Sequence, residues 1–151
     1  MQKAIDKVQA AKSPKKCERG QSMVELALSL VIILLMISAI VDGARVLFSY
    51  MALRDAAQEG SLFGSVEPGN TTAITARVRN ASDMVRGFGA ANVQIQVSYS
   101  GSACAGGNNT IRVRVTYANF RLTMPFVGAI LGTQTIPISA AATDSILRPL
   151  C

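Results

Sequence analysis

One stretch of this chain decides what the rest of it can be. Leu26 to Val41, LALSLVIILLMISAIV, runs for sixteen residues without a charged group. With Met23 and Val24 added upstream, the apolar length approaches the ~20 residues a helix needs to cross ~30 Å of hydrocarbon. A secretory signal peptide has a shorter apolar core followed by a small-residue cleavage site. Here the run is long and a twenty-residue leader precedes it. The run reads as a membrane span, and the chain on either side of it must live in water.

The charges agree with that reading. Residues 1–20 hold Lys3, Lys7, Lys12, Lys15, Lys16 and Arg19 against Asp6 and Glu18, a net +4 of the chain's +6. The remaining +2 is nine Arg against seven acids, spread over the rest of the chain. Basic residues before a span hold that end in the cytoplasm, so the basic pI marks a leader rather than a nucleic-acid-binding domain. The expected topology is single-pass, with the leader cytoplasmic and the C-terminal part outside, in the periplasm or at the cell surface. The chain has no His, which removes His-based triads, His metal sites and His general bases. No nucleophile–base pair, paired-acid motif or zinc-type cysteine cluster is present. The expectation is a protein that is not an enzyme, has no cofactor or metal, and takes neither nucleic acid nor a small-molecule substrate.

Helical character continues past the span. No Pro interrupts Gly43 to Phe63, and Val46, Tyr50, Leu53 and Ala57 recur at spacings that share a helix face. Gly64, Pro68 and Gly69 end the pattern. A helix over 22–65 would be roughly 66 Å long at ~1.5 Å per residue, about twice the membrane thickness, so it would project as a stalk. After it, Thr71 or Thr72 can cap a helix whose stripe is Ile74, Val78, Ala81 and Val85, closed by Gly87 and Gly89. Val93, Ile95, Val97 and Tyr99 alternate with polar residues, as do Ile111, Val113, Val115 and Tyr117, which predicts an antiparallel pair. A short apolar piece at 126–131 precedes a third strand over 133–142, with Ile136, Ile138, Ala140 and Ala142 inward. The expected fold is α+β: a long transmembrane-plus-stalk helix, then a small domain with a helix packed on a three-stranded antiparallel sheet. The expected domains are a basic leader at 1–20, the transmembrane and stalk helix at 21–65 and an exported α+β domain at 66–151.

The odd residue is Glu25, at the start of the span. A carboxylate inside a bilayer costs ~2–3 kcal/mol at the midplane and less at the edge. If the chain is cut after Gly20, the new α-amine on Gln21 is protonated at neutral pH and lies one helical turn from Glu25. The two charges can then neutralise each other, within one chain or between packed neighbours. Basic leader, Gly20, four residues, Glu25 and an apolar helix together resemble the signature of prepilin-peptidase substrates. The longer stretch RGQSMVELALSLVIILLMISAIVDGARVLFSYMALRDAAQEG is similar throughout to the TadE-like family. The matching positions are Arg19, Gly20, Gln21, Val24, Glu25, Asp42, Gly43, Arg45, Ala56, Ala57, Glu59 and Gly60. VRVTYANFRLTMPFVG followed by IPISAAAT also looks like the family. Leu26 stands where the family often places Phe or Tyr.

The resemblance implies a pseudopilin of the tight-adherence (Flp-type) pilus machinery. Gly20 and Gln21 would flank the processing site, and Glu25 would act in assembly. The partners implied are membrane lipid, a prepilin peptidase, other pilins and pseudopilins, and the pilus inner-membrane platform. The long segment after the helix favours a minor pseudopilin over the bulk filament subunit. The alternative is an unprocessed membrane-tethered binding or adhesion factor. Asp42 and Arg45, three apart on a helix, can pair at the outer membrane surface or dock a partner. Ala57 and Gly60 are small enough to permit close helix packing. Export would leave Cys104 and Cys151 as a candidate disulfide, with free thiols or an intermolecular bond as the alternatives.

Overall fold

The computed structural model describes residues 18–101, 109–125 and 127–147. The leader up to Cys17, together with Cys104 and Cys151, lies outside the described residues, and so does the candidate disulfide. The element order is α1 (Glu18–Val66), α2 (Thr71–Asn80), α3 (Asp83–Gly87), β1 (Val93–Ser100), β2 (Thr110–Arg121), α4 (Val127–Leu131) and β3 (Thr135–Ser145). This is the α+β architecture expected from the sequence, with one long apolar helix followed by helices and a three-stranded antiparallel sheet. The chain divides into two compact units, Met1–Ile37 and Ser38–Cys151.

The first unit, as far as it is described, is the first part of α1. Among the described residues α1 is long and apolar enough to cross a membrane, and no residue of its most apolar eighteen-residue window is buried. Leu26, Leu30 and Ile33 each leave more than half of their surface uncovered. A helix apolar on every side and left uncovered by the described residues is matched to lipid. Its described part runs from Glu18, so it extends upstream of the expected start at Ser22.

The second unit starts in the last turn of the apolar run and closes on the sheet. The order β1-β2-β3 puts the longest strand in the centre. Val113 lies between Val97 and Ala142, and Val115 lies between Ile95 and Ala140. One face of the sheet is therefore a continuous apolar layer. The other carries Gln94, Gln96, Ser98, Arg112, Arg114, Ser139 and Thr143, all exposed. A register shift between Tyr117 and Phe120 bends β2 near its end, letting it run on to Arg121 beyond the expected strand. Pro137 sits in β3, an edge strand, where its missing N–H need not break the ladder.

Leu53, Ala56 and Ala57 of α1, Ile74 and Val78 of α2, and Ile111, Val113 and Val115 of β2 are fully buried. The expected second helix is two helices. Asn70 caps α2, its side chain accepting from the Ala73 N–H at 3.0 Å, and Ser82 caps α3, accepting from the Val85 N–H at 3.2 Å. Ser82 takes extended backbone angles, so the chain turns there. Ile74, Val78 and Val85 stay buried while Ala81 is exposed. A serine that can accept from an N–H three residues on is a strong helix start, and it overrides the longer periodic stripe.

Candidate functional site

The sequence candidates fall into two groups on α1. Gly20, Gln21 and Glu25 belong to the first unit. Gln21 and Glu25 are four apart in one helix and so share a face one turn apart. Glu25 is exposed and, among the described residues, its carboxylate has no ion pair. The contact at this position is the Ser29 hydroxyl donating to the Glu25 backbone carbonyl at 2.8 Å. Gly20 is helical, and a Cβ there would meet nothing within 4 Å. Among the described residues, neither backbone angle nor packing calls for glycine at 20.

The second group lies in the unit that begins at Ser38. Asp42 follows the last apolar residue of the span, yet it is only 4% exposed. Its Oδ2 accepts from the backbone N–H groups of Thr123 and Met124 at 2.7 and 2.6 Å. Its Oδ1 accepts from Arg45 Nη1 at 3.1 Å. Arg45 also donates to the Thr123 hydroxyl and lies over the Phe120 ring, 5.3 Å from its centroid. Burial by itself would raise the Asp42 pKa. The N–H groups of Met124 and Thr123, the Thr123 hydroxyl and Arg45 more than offset it, so the carboxyl sits below its ordinary range. The pairing of Asp42 with Arg45 is thus one part of a tie between α1 and the segment that follows β2.

Ala57 and Gly60 face the core of their own chain. A Cβ on Gly60 would run into Val78 Cγ2 and would lie 3.3 Å from Val113 Cγ1, and one on Gly64 would run into Ile111 Cδ1. The small residues let α1 press against α2 and β2. Tyr50, expected on the inward face, is 41% exposed, and Ser49 is buried in its stead at 5%. At ~100° per residue, Ser49 lies about 40° from Leu53 around the helix and Tyr50 about 60° to the other side. The face is tight enough to take a hydroxymethyl group and not a phenol.

Sequence reasoning missed three polar members of this face. Ser49 is the first. Ser61 is fully buried; its hydroxyl donates to Asp144 Oδ2 at 2.5 Å and also reaches the Gln58 carbonyl. Ser65 donates to the Leu62 carbonyl at 2.7 Å, and its own carbonyl accepts from the Leu147 N–H at 2.9 Å. The signal was present: Asp42, Ser49, Leu53, Ala56, Gly60 and Gly64 recur by sevens, fours and threes, a stripe of small and polar residues rather than of large apolar ones.

Beside the tie opens a groove of about 430 Å³, walled by Phe48, Phe88, Tyr117 and Phe120 with Arg45 and Arg121. Phe88 and Tyr117 stack at 4.3 Å, and Tyr117 meets Phe120 edge-on at 6.4 Å. Aromatic faces and guanidinium groups make a surface for contact. Among the described residues no group of three or more His, Cys, Asp or Glu could hold a metal ion.

No curated relative and no solved structure matches the chain. The model of the family described as TadE-like protein matches residues 20–62. That segment contains Gly20, Gln21, Glu25, Asp42, Arg45, Ala57 and Gly60, so the part of α1 that carries these candidate residues is similar to that family.

Proposed function

We propose that this protein is a minor pseudopilin of a tight-adherence (Flp-type) pilus, cut between Gly20 and Gln21 by a prepilin peptidase and packed into the assembly through α1. The observation that carries the reading is an uncovered apolar helix, TadE-like over residues 20–62, with one unpaired carboxylate near its start. Glu25 has no ion pair among the described residues of its own chain. A carboxylate kept there at a cost of up to ~2–3 kcal/mol needs a partner from elsewhere. Cleavage after Gly20 supplies one, an ammonium one turn away on the same face or on a neighbouring subunit. Gly20 fits a peptidase requirement because nothing in the fold requires a glycine there. The partners of this reading are the peptidase, other pilins and pseudopilins, and the inner-membrane platform. The C-terminal domain lies outside the cytoplasmic membrane.

The test is the N-terminal sequence and intact mass of the protein taken from its native membrane. A start at Gln21 is expected in the wild type, and Gly20→Arg should keep the leader. Glu25→Ala should be processed yet fail to support piliation. A start at Met1 in the wild type would leave an unprocessed membrane-tethered adhesion factor as the better reading.

A further inference from the structure

The tie at Asp42 fixes the level of a segment with no assigned role. Asp42 directly follows Val41, the last residue of the apolar run. A run over 23–41 at ~1.5 Å per residue covers roughly 28 Å, close to the full hydrocarbon thickness, so Asp42 falls at the boundary between hydrocarbon and headgroups. Through its bonds to the Thr123 and Met124 N–H groups, Asp42 holds the chain after β2 at that same level. From there the chain continues as Pro125-Phe126-Val127-Gly128-Ala129-Ile130-Leu131-Gly132, eight residues without a charge. Val127 to Leu131 form α4, and Ile130 on it is 81% exposed, the most uncovered large apolar side chain among the described residues. Gln134 accepts from the Gly128 N–H at 3.0 Å and donates to the Leu122 and Met124 carbonyls at 3.0 and 3.1 Å, which ties α4 to the end of β2. Arg45, which donates to the Thr123 hydroxyl just before this segment, is a cation of the kind that headgroup phosphates attract.

We infer that the α4 segment is a second membrane contact, lying at the level of the outer headgroup region with Ile130 directed into lipid. The occupant of this apolar surface is the bilayer itself. It is the apolar phase already in contact with Ser38–Val41 of the same unit, one residue from the carboxylate that holds the segment. Interfacial elements of this kind bury their apolar face about 5–10 Å into the headgroup and acyl boundary. The inference rests on Leu26–Val41 being a membrane span.

The chain has no Trp, so a single introduced indole reports alone. Ile130→Trp, Ala141→Trp on the outward sheet face and Leu34→Trp within the span would each be made in the full chain. Each would be reconstituted in phosphatidylethanolamine–phosphatidylglycerol vesicles, with and without bromine-labelled acyl chains. Quenching by the brominated lipid several-fold stronger at 130 than at 141, with position 34 also quenched, is the expected result. Equal, weak quenching at 130 and 141 with position 34 quenched would overturn the α4 contact and leave the span intact. An indole at 130 shielded from aqueous acrylamide yet untouched by brominated lipid would overturn it as well, because protein would then be the cover. No quenching at position 34 would remove the span, and the inference with it.

Discussion

At the scale of single residues, Asp42 holds the second unit together at its membrane-proximal end. Hydrogen bonds to a charged group contribute ~1.5–3 kcal/mol each, and orphaning buried N–H donors costs more than the bond returns. Asp42→Ala, which strips the partner from two backbone N–H groups and Arg45, should destabilise the unit by about 2–4 kcal/mol in urea unfolding. The pH dependence has a definite sign. The folded Asp42 carboxyl is held below its ordinary value, so its contribution is complete above the unfolded pKa near ~4 and is lost as the pH falls through the lower folded value. Urea midpoints of the wild type should therefore fall on acidification below about pH 4, and Asp42→Asn should flatten that part of the profile. An unchanged acid limb in Asp42→Asn would mean that other carboxylates set it.

At the scale of elements, α1 is shaped by what it lacks on its inner face. Gly60 and Gly64 both stand where a Cβ would collide, but the obstacles differ. Val78 is β-branched and stiff inside α2, whereas Cδ1 is the free end of the Ile111 side chain and can turn aside. Alanine in a helix gains up to ~1 kcal/mol over glycine. Gly64→Ala should come out near neutral, while Gly60→Ala should lose about 1–2 kcal/mol net of that gain, since overpacking a stiff contact costs ~1–3 kcal/mol. Thermal unfolding of the two variants side by side decides it; equal losses would mean that Ile111 is held as firmly as Val78. Elements were legible in the sequence wherever large apolar residues mark a face. Alternation in β1 and β2 fixed which side of each strand is buried, and Ile74 and Val78 fixed the inner face of α2. The α2–α3 break was not legible from periodicity, because the stripe runs through it and only the capping chemistry of Ser82 interrupts. The inner face of α1 was half legible for the converse reason: apart from Asp42 and Leu53 its buried members are Ser, Ala and Gly, which mark close approach instead of hydrophobic weight.

At the scale of the molecule, the span, the basic leader and the Gly20–Glu25 spacing are features of the chain itself, legible in the order of its residues. The tie from Asp42 to Thr123 and Met124 was not, since it joins a side chain to backbone groups some eighty positions away and no residue type announces it. The compact unit that holds the sheet starts at Ser38, and Leu53, Ala56 and Ala57 of α1 are at the centre of its core. A fragment beginning at Ser38 should unfold cooperatively, and one beginning at Glu67 should show no cooperative transition by circular dichroism. Folding of the shorter fragment would mean that the sheet and α2 suffice without α1. The way α1 packs inside the second unit has a mechanical consequence: a load applied along α1 within that unit is taken up as shear across the contact of Leu53, Ala57 and Gly60 with α2 and β2. The strength of that contact then limits how hard such a subunit can be pulled before its head comes apart.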